Sequence, residues 1–482
     1  MILNTDSQAT PVNLRSRLAV NFGQLLVGKV VTTVLGLLYL TINSRYLGPE
    51  QYGQLVTATV FVGLFIGFSD FGVNAVVVRE ARGDRQVIKD LTNANLGLSV
   101  LLVLPLSAVV AVAGLLTYGV GTRLTHNILL LLPFLATTLI TSCFLPVFQH
   151  RNSFTGQVVA DLASAVLTLA GIVLGVARHA GVTWFVVVID VAAVSRLLIT
   201  AGYCSRLERL RPTVDRQRWL FLLRTGLPIG VGGLIGVIYY RVDTVLLSLL
   251  VPGVQVGFYS LAYRLVGSLS VVPAILGSLF YSSLVQVNDE PATLTRRVRI
   301  FVGLSLGAGI PLSVLGGVLA PELMTALGGP AYRGAAGALV LMLIATSFSF
   351  VNNALSTAMV SMHRQAFLVK LGLTMLLVNI GANLLLDVRY GAKGAALALL
   401  LSEAGSSLVV VTVVHRTTSL APPLAKAAGF VAATVGLGLV ATLTRDLFLA
   451  IPLGLGALTF VLILLATRVV RMSDVLTLRQ RD

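Results

Sequence analysis

Five polar side chains lie within long apolar stretches, and the three basic ones have the charge needed to bind an anion. Lys29, Arg241 and Arg264 are basic, Tyr240 directly precedes Arg241, and Asp243 follows Arg241 by two positions. A charge near the middle of a bilayer costs at least about 2.5–3.5 kcal/mol, so such residues usually face a protein-lined or watery cavity. Arginine forms paired hydrogen bonds to phosphate, and other cationic and hydroxyl groups replace water around it. These residues predict a polar cavity suited to an anionic ligand.

An internal ion pair is the alternative for these basic residues. Arg241 and Asp243 are two positions apart, roughly 200° round a helix, so they are poor partners within one helix. A pair between helices, such as Arg264 with Asp243, would hold the helices together without any ligand. Against this, Arg264 lies on a helical face that is polar along its length. That face also carries Ser260, Gly267 and Ser268.

Three acidic residues also fall inside apolar stretches. Asp161, Asp190 and Glu403 have the chemistry to carry ions or protons in an antiport cycle, or to bind sugar hydroxyl groups. The favoured interpretation is instead that they pair with a basic residue inside the spans, Arg196 or Lys370. Asp190 and Arg196 are six positions apart, which makes a pair within one helix poor.

Neither a metal site nor an enzyme active site is indicated. Cys143 and Cys204 lie in different apolar stretches, and the five histidines have no ligand spacing. The loops on the outer side are short and contain no nucleophile–base pair. We therefore expect no metal, no cofactor and no enzymatic activity.

Composition places the chain in a membrane. Of its 482 residues 56% are hydrophobic and 11% are charged, and the mean hydropathy is +0.92. Soluble domains carry about 25% charged residues. Apolar runs of about 20 residues span a bilayer as helices, so we predict an all-α integral membrane protein with about fourteen transmembrane helices. The predicted spans are 18–43, 52–77, 91–117, 125–148, 154–177, 183–204, 220–249, 255–286, 300–319, 334–360, 365–387, 393–414, 424–443 and 447–468.

The basic residues predict the orientation of these spans. Of the 35 Lys and Arg residues, 23 fall on the side of the N-terminus, 7 on the opposite side and 5 inside spans. Cytoplasmic loops carry the excess of Lys and Arg. We therefore expect a multi-pass protein of the cytoplasmic (inner) membrane with both termini cytoplasmic. This asymmetry explains most of the net charge of +16 without a nucleic-acid partner.

An internal repeat predicts two similar lobes. PEQYGQLVTA at 49–58 matches GVQVGFYSLA at 253–262, and HRNSF at 150–154 matches HRQAF at 363–367. The repeat unit contains six spans, so both halves run in the same direction and a cavity is expected between them. The predicted divisions are an N-terminal lobe at 1–204, a cytoplasmic linker at 205–218, a C-terminal lobe at 219–415, and two extra helices with a tail at 416–482.

Several motifs resemble a transporter family. RYLGPEQYGQL at 45–55, SDFG at 69–72, VVRE at 77–80 and the stretch from YYRVDTVLL to GVQVGFYSLAYRL are similar to polysaccharide flippases of the Wzx type. These belong to the multidrug/oligosaccharidyl-lipid/polysaccharide (MOP) exporter superfamily, and the resemblance covers roughly 14–415. It implies two six-helix lobes in a V, alternating access, and export of a polyprenyl-diphosphate-linked oligosaccharide, a precursor of surface polysaccharide.

The resemblance leaves other substrates open. Lipid II flippases of the superfamily also have fourteen helices, and antiporters of small organic cations (MATE-like) share the scaffold. A cation antiporter predicts an acidic cavity, whereas here five basic residues in the spans face four acids, which favours an anion. Lys29, Arg241 and Arg264 would then hold the diphosphate and the sugars. Expected partners are this substrate, membrane lipids and polysaccharide assembly proteins, with the protein itself a monomer.

Overall fold

The computed structural model describes residues 11–67, 71–151, 153–288, 290–418 and 424–466. These residues are predominantly helical, and no strand occurs among them. The predicted all-α class is confirmed.

The chain forms its helices in the following order. The first nine are α1 (Pro11–Ile66), α2 (Val73–Ala81), α3 (Arg85–Tyr118), α4 (Arg123–Leu130), α5 (Leu132–Ser142), α6 (Leu145–His150), α7 (Thr155–Ala177), α8 (Val182–Leu207) and α9 (Arg216–Leu250). Those that follow are α10 (Gly253–Leu269), α11 (Val271–Gln286), α12 (Pro291–Val318), α13 (Ala320–Gly328), a 3₁₀ segment (Pro330–Ala335), α14 (Ala336–Ser361), α15 (Gln365–Tyr390), α16 (Ala392–Thr418), α17 (Leu424–Thr444) and α18 (Ala450–Ala466).

The helices are numerous and apolar enough for a multi-pass membrane protein. Within the described residues, 11 helical stretches are long and apolar enough to cross a membrane, and α17 and α18 provide two shorter apolar helices. The stretch Val27–Ile66 covers parts of two predicted spans, 18–43 and 52–77, and is divided between them because the backbone of Gly48 is not helical (φ 67°, ψ 174°) and Pro49 follows it. With α1 counted as two spans, the total agrees with about fourteen. The chain is a multi-pass membrane protein.

The predicted span 52–77 does not continue as one helix. Helix α1 ends at Ile66 and α2 begins at Val73. Gly72 precedes α2 with a left-handed backbone (φ 72°), a conformation that glycine adopts without the penalty of a Cβ atom. The predicted span extends through this break because the residues on both sides of Ser69 and Asp70 are mainly apolar.

Prolines interrupt two further predicted spans. The span 125–148 is divided into α4, α5 and α6, with Pro133 and Pro146 in the first turns of α5 and α6. The span 255–286 is divided into α10 and α11, with Pro273 in the first turn of α11. Proline has no N–H and its ring crowds the preceding turn, so a new helix begins near it.

The chain divides into two compact units. Unit 1 comprises Met1–Leu47 and Gln54–Val245, and unit 2 comprises Gly48–Gly53 and Leu246–Asp482. The lobes and linker proposed from the repeat rest on sequence similarity and stay a prediction.

Each unit has its own apolar core. In unit 1, Val76 of α2 and Leu222 of α9 belong to one fully buried cluster. In unit 2, Phe301 of α12 lies in a cluster that extends over α11, α14 and α16. A second cluster of unit 2 joins α17 and α18 to α12 through Leu437 and Phe460. In a bilayer such helices associate through van der Waals packing, which sets the position of the polar residues they carry.

Candidate functional site

The structure places the predicted site residues in both units. Unit 1 contains Lys29, Asp161, Asp190, Tyr240, Arg241 and Asp243, whereas unit 2 contains Arg264 and Glu403.

Arg241 is set against a glycine of α1 within unit 1. A Cβ atom on Gly63 would overlap Nη1 of Arg241 and lie 2.9 Å from its Cζ. One turn earlier in α9, Val237 lies against Gly67, where a Cβ would come within 2.8 Å of Cγ1. The absence of side chains at these glycines lets α9 approach α1 closely. Gly63 therefore leaves room for the guanidinium group, a role that the sequence analysis did not assign.

The same approach continues towards the beginning of α9. A Cβ on Gly230 would overlap the backbone carbonyl carbon of Phe71, and one on Gly226 would lie 2.7 Å from its oxygen. By contrast, Gly232 and Gly233 face open space. The glycine-rich run thus packs through one face only, and this packing orients α9 so that Arg241 faces Gly63.

The neighbours of Arg241 differ in exposure. Tyr240 is 59% exposed and its ring lies edge-on to Tyr239, with centroids 5.5 Å apart. Asp243 is only 3% exposed, and Arg241 is half-buried. Tyr240 and Arg241 can therefore meet a ligand from outside unit 1, whereas the carboxylate of Asp243 lies in the interior. The different exposure of Arg241 and Asp243 agrees with their separation of roughly 200° round the helix, and the predicted binding role of all three residues stays a prediction.

Lys29 is exposed on the first half of α1. The preceding residue, Gly28, faces α7, where a Cβ would come within 2.7 Å of Val158. The hydroxyl groups of Thr32 and Thr33 donate to the backbone carbonyl of Lys29, at 3.0 and 2.7 Å. The helix therefore packs through Gly28 and presents Lys29 on an open face.

Arg264 is exposed on α10 in unit 2. Gly267 shares this exposed face, and the Ser268 hydroxyl donates to the backbone carbonyl of Leu265 at 2.6 Å. Ser260 is buried. The predicted polar stripe is therefore shorter than expected, because its first member is turned into the unit.

Asp161 forms an ion pair with Arg196. The Nε atom of Arg196 donates to Oδ1 of Asp161 at 2.7 Å, which joins α7 to α8. Both side chains are partly exposed. The pairing favoured from the sequence is present for this acid.

Asp190 binds the backbone of a broken span. Its Oδ1 accepts the N–H of Phe134 at 2.9 Å, in the first turn of α5. The break before α5 frees N–H groups that would otherwise bond within a continuous helix. Arg196 pairs with Asp161 instead, in agreement with the poor spacing of Asp190 and Arg196 within one helix, and the carboxylate of Asp190 binds the backbone at a helix N-terminus. Sequence reasoning missed this partner, since a backbone N–H leaves no residue-type signal.

Glu403 joins α16 to α14. Its Oε2 accepts the side-chain N–H of Asn352 at 2.7 Å, and the hydroxyl of Ser407 donates to Oδ1 of Asn352 at 2.8 Å. Glu403 is only 7% exposed. Asp190 and Glu403 are equivalent in the sequence repeat, and each connects the sixth predicted span of its half to the fourth.

A row of buried polar residues in α15 was not predicted. Asn379, Asn383 and Asp387 follow at intervals of four and are fully buried. The amide of Asn383 donates to Oδ1 of Asn379 at 3.1 Å. Asp387 adds a buried acid at the last position of the predicted span 365–387, and the basic residue Arg389 follows two positions later in the same helix. The interval of four residues was the available signal.

The described residues contain no group of three or more His, Cys, Asp or Glu side chains that could hold a metal ion.

The chain resembles known transporters in fold. It matches the structure of lipid II flippase MurJ in an inward closed conformation with a TM-score of 0.74 and 13% identity, covering 91% of this chain and 97% of that one. An inward-facing MATE family multidrug resistance transporter of the MOP superfamily matches with a TM-score of 0.65 and 13% identity, over 83% and 98% of the two chains. A MATE transporter from Vibrio cholerae matches with a TM-score of 0.55 and 15% identity, over 84% and 99%.

Comparison with curated protein sequences finds no match. The profile of the polysaccharide biosynthesis protein family, however, matches residues 18–280, which is more than half of the chain. The protein is therefore a member of the polysaccharide biosynthesis protein family, and it has the fold of MOP superfamily transporters.

Proposed function

We propose that the protein flips a polyprenyl-diphosphate-linked oligosaccharide, a precursor of surface polysaccharide, across the cytoplasmic membrane by alternating access. The family match and the transporter fold support a flippase. The substrate class rests on the basic residues inside the spans, because a diphosphate needs cationic groups in place of water as it crosses.

The observation that carries the proposal is the position of Arg241. Its guanidinium lies over Gly63 and is half-buried within a membrane-spanning helix. A planar guanidinium held at a fixed site can form two parallel hydrogen bonds to one phosphate. The exposed Tyr240 beside it offers a hydroxyl group to a sugar.

Lys29 and Arg264 complete the proposed set of cations. Each lies exposed in a membrane-spanning helix, Lys29 in unit 1 and Arg264 in unit 2. A flexible ammonium group suits a diphosphate that moves, whereas the arginines suit fixed contacts. We assign the buried Asp243 a supporting position in the interior of unit 1, away from the exposed face that carries Tyr240.

Arg241→Gln and Arg264→Gln test this assignment in vesicles that contain a fluorescent polyprenyl-diphosphate oligosaccharide. A hydrogen-bonded charge contributes about 1.5–3 kcal/mol, so each variant should slow flipping by roughly 10- to 100-fold. Arg178→Gln is the matched control, because Arg178 is exposed at the end of α7 and outside the spans. Normal flipping by both variants, with normal insertion, would disprove the role of these arginines.

The same vesicles distinguish the alternative substrates. The structural neighbours include a lipid II flippase and a multidrug resistance transporter. Transport of lipid II in preference to the oligosaccharide lipid, or of a small organic cation instead of either, would replace the proposed substrate. Flipping that is unchanged without a proton gradient would exclude Asp161, Asp190 and Glu403 as proton-coupling groups.

We infer further that the protein works as a monomer with both termini in the cytoplasm, together with polysaccharide assembly proteins. The excess of basic residues on one side supports this orientation. Reporter fusions to the C-terminus test it, and a periplasmic C-terminus would contradict it. Cross-linking at native expression levels tests the monomer, which a covalent dimer would contradict.

A further inference from the structure

The connection between α8 and α9 is ordered on the surface of unit 1. We name residues 206–216 the basic strap; it runs from the last turn of α8 to the first residue of α9. The backbone N–H of Arg211 donates to Oδ1 of Asn93 at 2.8 Å, and the N–H of Thr213 donates to the backbone carbonyl of Asn93 at 3.1 Å. The carbonyl oxygen of Thr213 lies against Gly97 of α3, where a Cβ atom on Gly97 would overlap this oxygen. The strap is therefore fixed along α3.

Side chains of the basic strap alternate between an inner and an outer face. Glu208 is buried, and Leu210 packs against the core of unit 1. Arg209 and Arg211 are exposed, and Val214 is 88% exposed. An extended backbone sends successive side chains to opposite sides. The inner face is acidic and apolar, whereas the outer face is basic with one exposed apolar residue.

The acidic residues of the strap are matched within the protein. Glu208 accepts hydrogen bonds from Nε of Arg85 at 2.8 Å and from Nη2 of Arg151 at 3.3 Å. Asp215 pairs with Nε of Arg218 at 3.3 Å. These carboxylates neutralise cations of unit 1 and not the outer arginines of the strap.

The exposed arginines of the strap, which we call the outer arginines, have no acidic partner among the described residues. They are all exposed and form no ion pair within the described part of the chain. They are Arg206, Arg209, Arg211 and Arg216. The rigid backbone presents this charge in one place, so no ordering of the chain is needed when a partner binds.

We propose that the basic strap binds the headgroups of anionic phospholipids at the membrane surface. The membrane-spanning helix α8 ends at the strap and the membrane-spanning helix α9 begins there, which supports a position at the level of the lipid headgroups. Its eight residues outside the helices can extend over about 25 Å, which suits a charged surface more than one phosphate ion. Val214, between arginines, has the apolar character that enters the headgroup boundary. This surface is separate from the proposed substrate site.

Trp219 provides a local probe for this surface. The protein has two tryptophans, Trp184 and Trp219, and the indole N–H of Trp219 donates to the carbonyl of Ala94 beside the strap at 2.8 Å. In a Trp184→Phe background, the full-length protein is reconstituted in vesicles that contain phosphatidylcholine and a minor fraction of doxyl-labelled lipid. The fluorescence of Trp219 should be quenched more by labelled phosphatidylglycerol than by labelled phosphatidylcholine. The quenching should correspond to an association at least about fivefold stronger, because one basic residue near an anionic surface contributes about 1 kcal/mol.

Two sets of variants separate the strap from general charge. Combined glutamine substitutions at Arg209, Arg211 and Arg216 should reduce the preference for phosphatidylglycerol to about onefold, and combined lysine substitutions should retain it. Glutamine substitutions at the exposed residues Arg123, Arg178 and Arg333 remove the same charge from other loops and should leave the preference unchanged. The proposal is wrong if the two lipids quench equally in the Trp184→Phe protein, or if the control set lowers the preference as much as the strap set does.

Discussion

Gly53 and Gly257 occupy equivalent positions of the sequence repeat, and their backbones meet within unit 2. A Cβ on Gly53 would lie 3.0 Å from the backbone nitrogen of Gly257 and overlap the carbonyl of Gly253. A Cβ on Gly257 would overlap the carbonyl of Pro49. Pro49 and Gly253 are themselves repeat equivalents, so the contact is self-complementary, as at a two-fold interface. The matching sequences that revealed the repeat are therefore in direct backbone contact with each other.

Gly257→Ala should lower the thermal stability of the protein in detergent. The added methyl group meets backbone atoms, which cannot rotate away, and overpacking of this kind costs about 1–3 kcal/mol. Gly267→Ala is the control in the same helix, because a Cβ there meets open space. Equal melting temperatures for the two variants would show that the Gly53–Gly257 contact is not tight.

Gly63→Ala should impair flipping more than stability. The added methyl group meets the end of the Arg241 side chain, which can move, so the guanidinium is displaced while the helices stay packed. We expect flipping about tenfold slower, and a melting temperature closer to wild type than that of Gly257→Ala. Gly36→Ala, whose Cβ would make an ordinary 3.7 Å contact with Tyr39, is the control. A flipping rate equal to wild type in Gly63→Ala would show that transport does not depend on the position of the Arg241 guanidinium.

Asp190→Asn and Asp190→Ala should differ in stability. The asparagine carbonyl can still accept the N–H of Phe134, whereas alanine leaves this group without its acceptor, at a cost of about 1–3 kcal/mol. Thermal unfolding of both variants measures the difference. Normal gradient-driven flipping by Asp190→Asn would assign Asp190 to structure and not to ion coupling.

Asp161 and Arg196 should show a favourable coupling in a double-mutant cycle. Their side chains are partly exposed, and pairs of this kind are worth about 0.2–1 kcal/mol. The cycle compares the unfolding of Asp161→Asn, Arg196→Gln and the double variant. Additive losses would mean that the pair contributes nothing measurable to stability.

The buried carboxylate of Glu208 should make the stability of the protein depend on pH. Burial by itself raises the pKa of Glu208, but the hydrogen bond and charge of Arg85, the hydrogen bond of Arg151 and the charge of Lys89 lower it more, so the net pKa lies below its ordinary value. The stabilisation is therefore present at neutral pH and is lost as the pH falls through the lowered pKa.

Glu208→Gln should be less stable than wild type at pH 7, and the difference should shrink as the pH falls below the ordinary range of a glutamate. Melting temperatures measured across this range provide the check. Asp446→Asn is the control, because Asp446 is 92% exposed in its pair with Arg445. A constant difference between Glu208→Gln and wild type at all pH values would contradict the argument.

The sequence predicted the helical spans better than their interruptions. Hydropathy identified 125–148 as one span, and the structure divides it at Pro133 and Pro146. Apolar composition measures whether a segment belongs in lipid and is insensitive to a single broken turn. At Gly48 the prediction did separate two spans, because polar residues surround the break.

The amino-acid sequence by itself determined the membrane class, the number of spans and which spans carry charge, since these depend on composition and spacing along one chain. Only the tertiary structure decided that Arg241 lies over Gly63 and that Asp190 binds the N–H of Phe134. The physical reason is that hydropathy describes how a helix meets lipid. Which side chain lies opposite depends on how that helix is rotated and how closely glycines let it approach its neighbours.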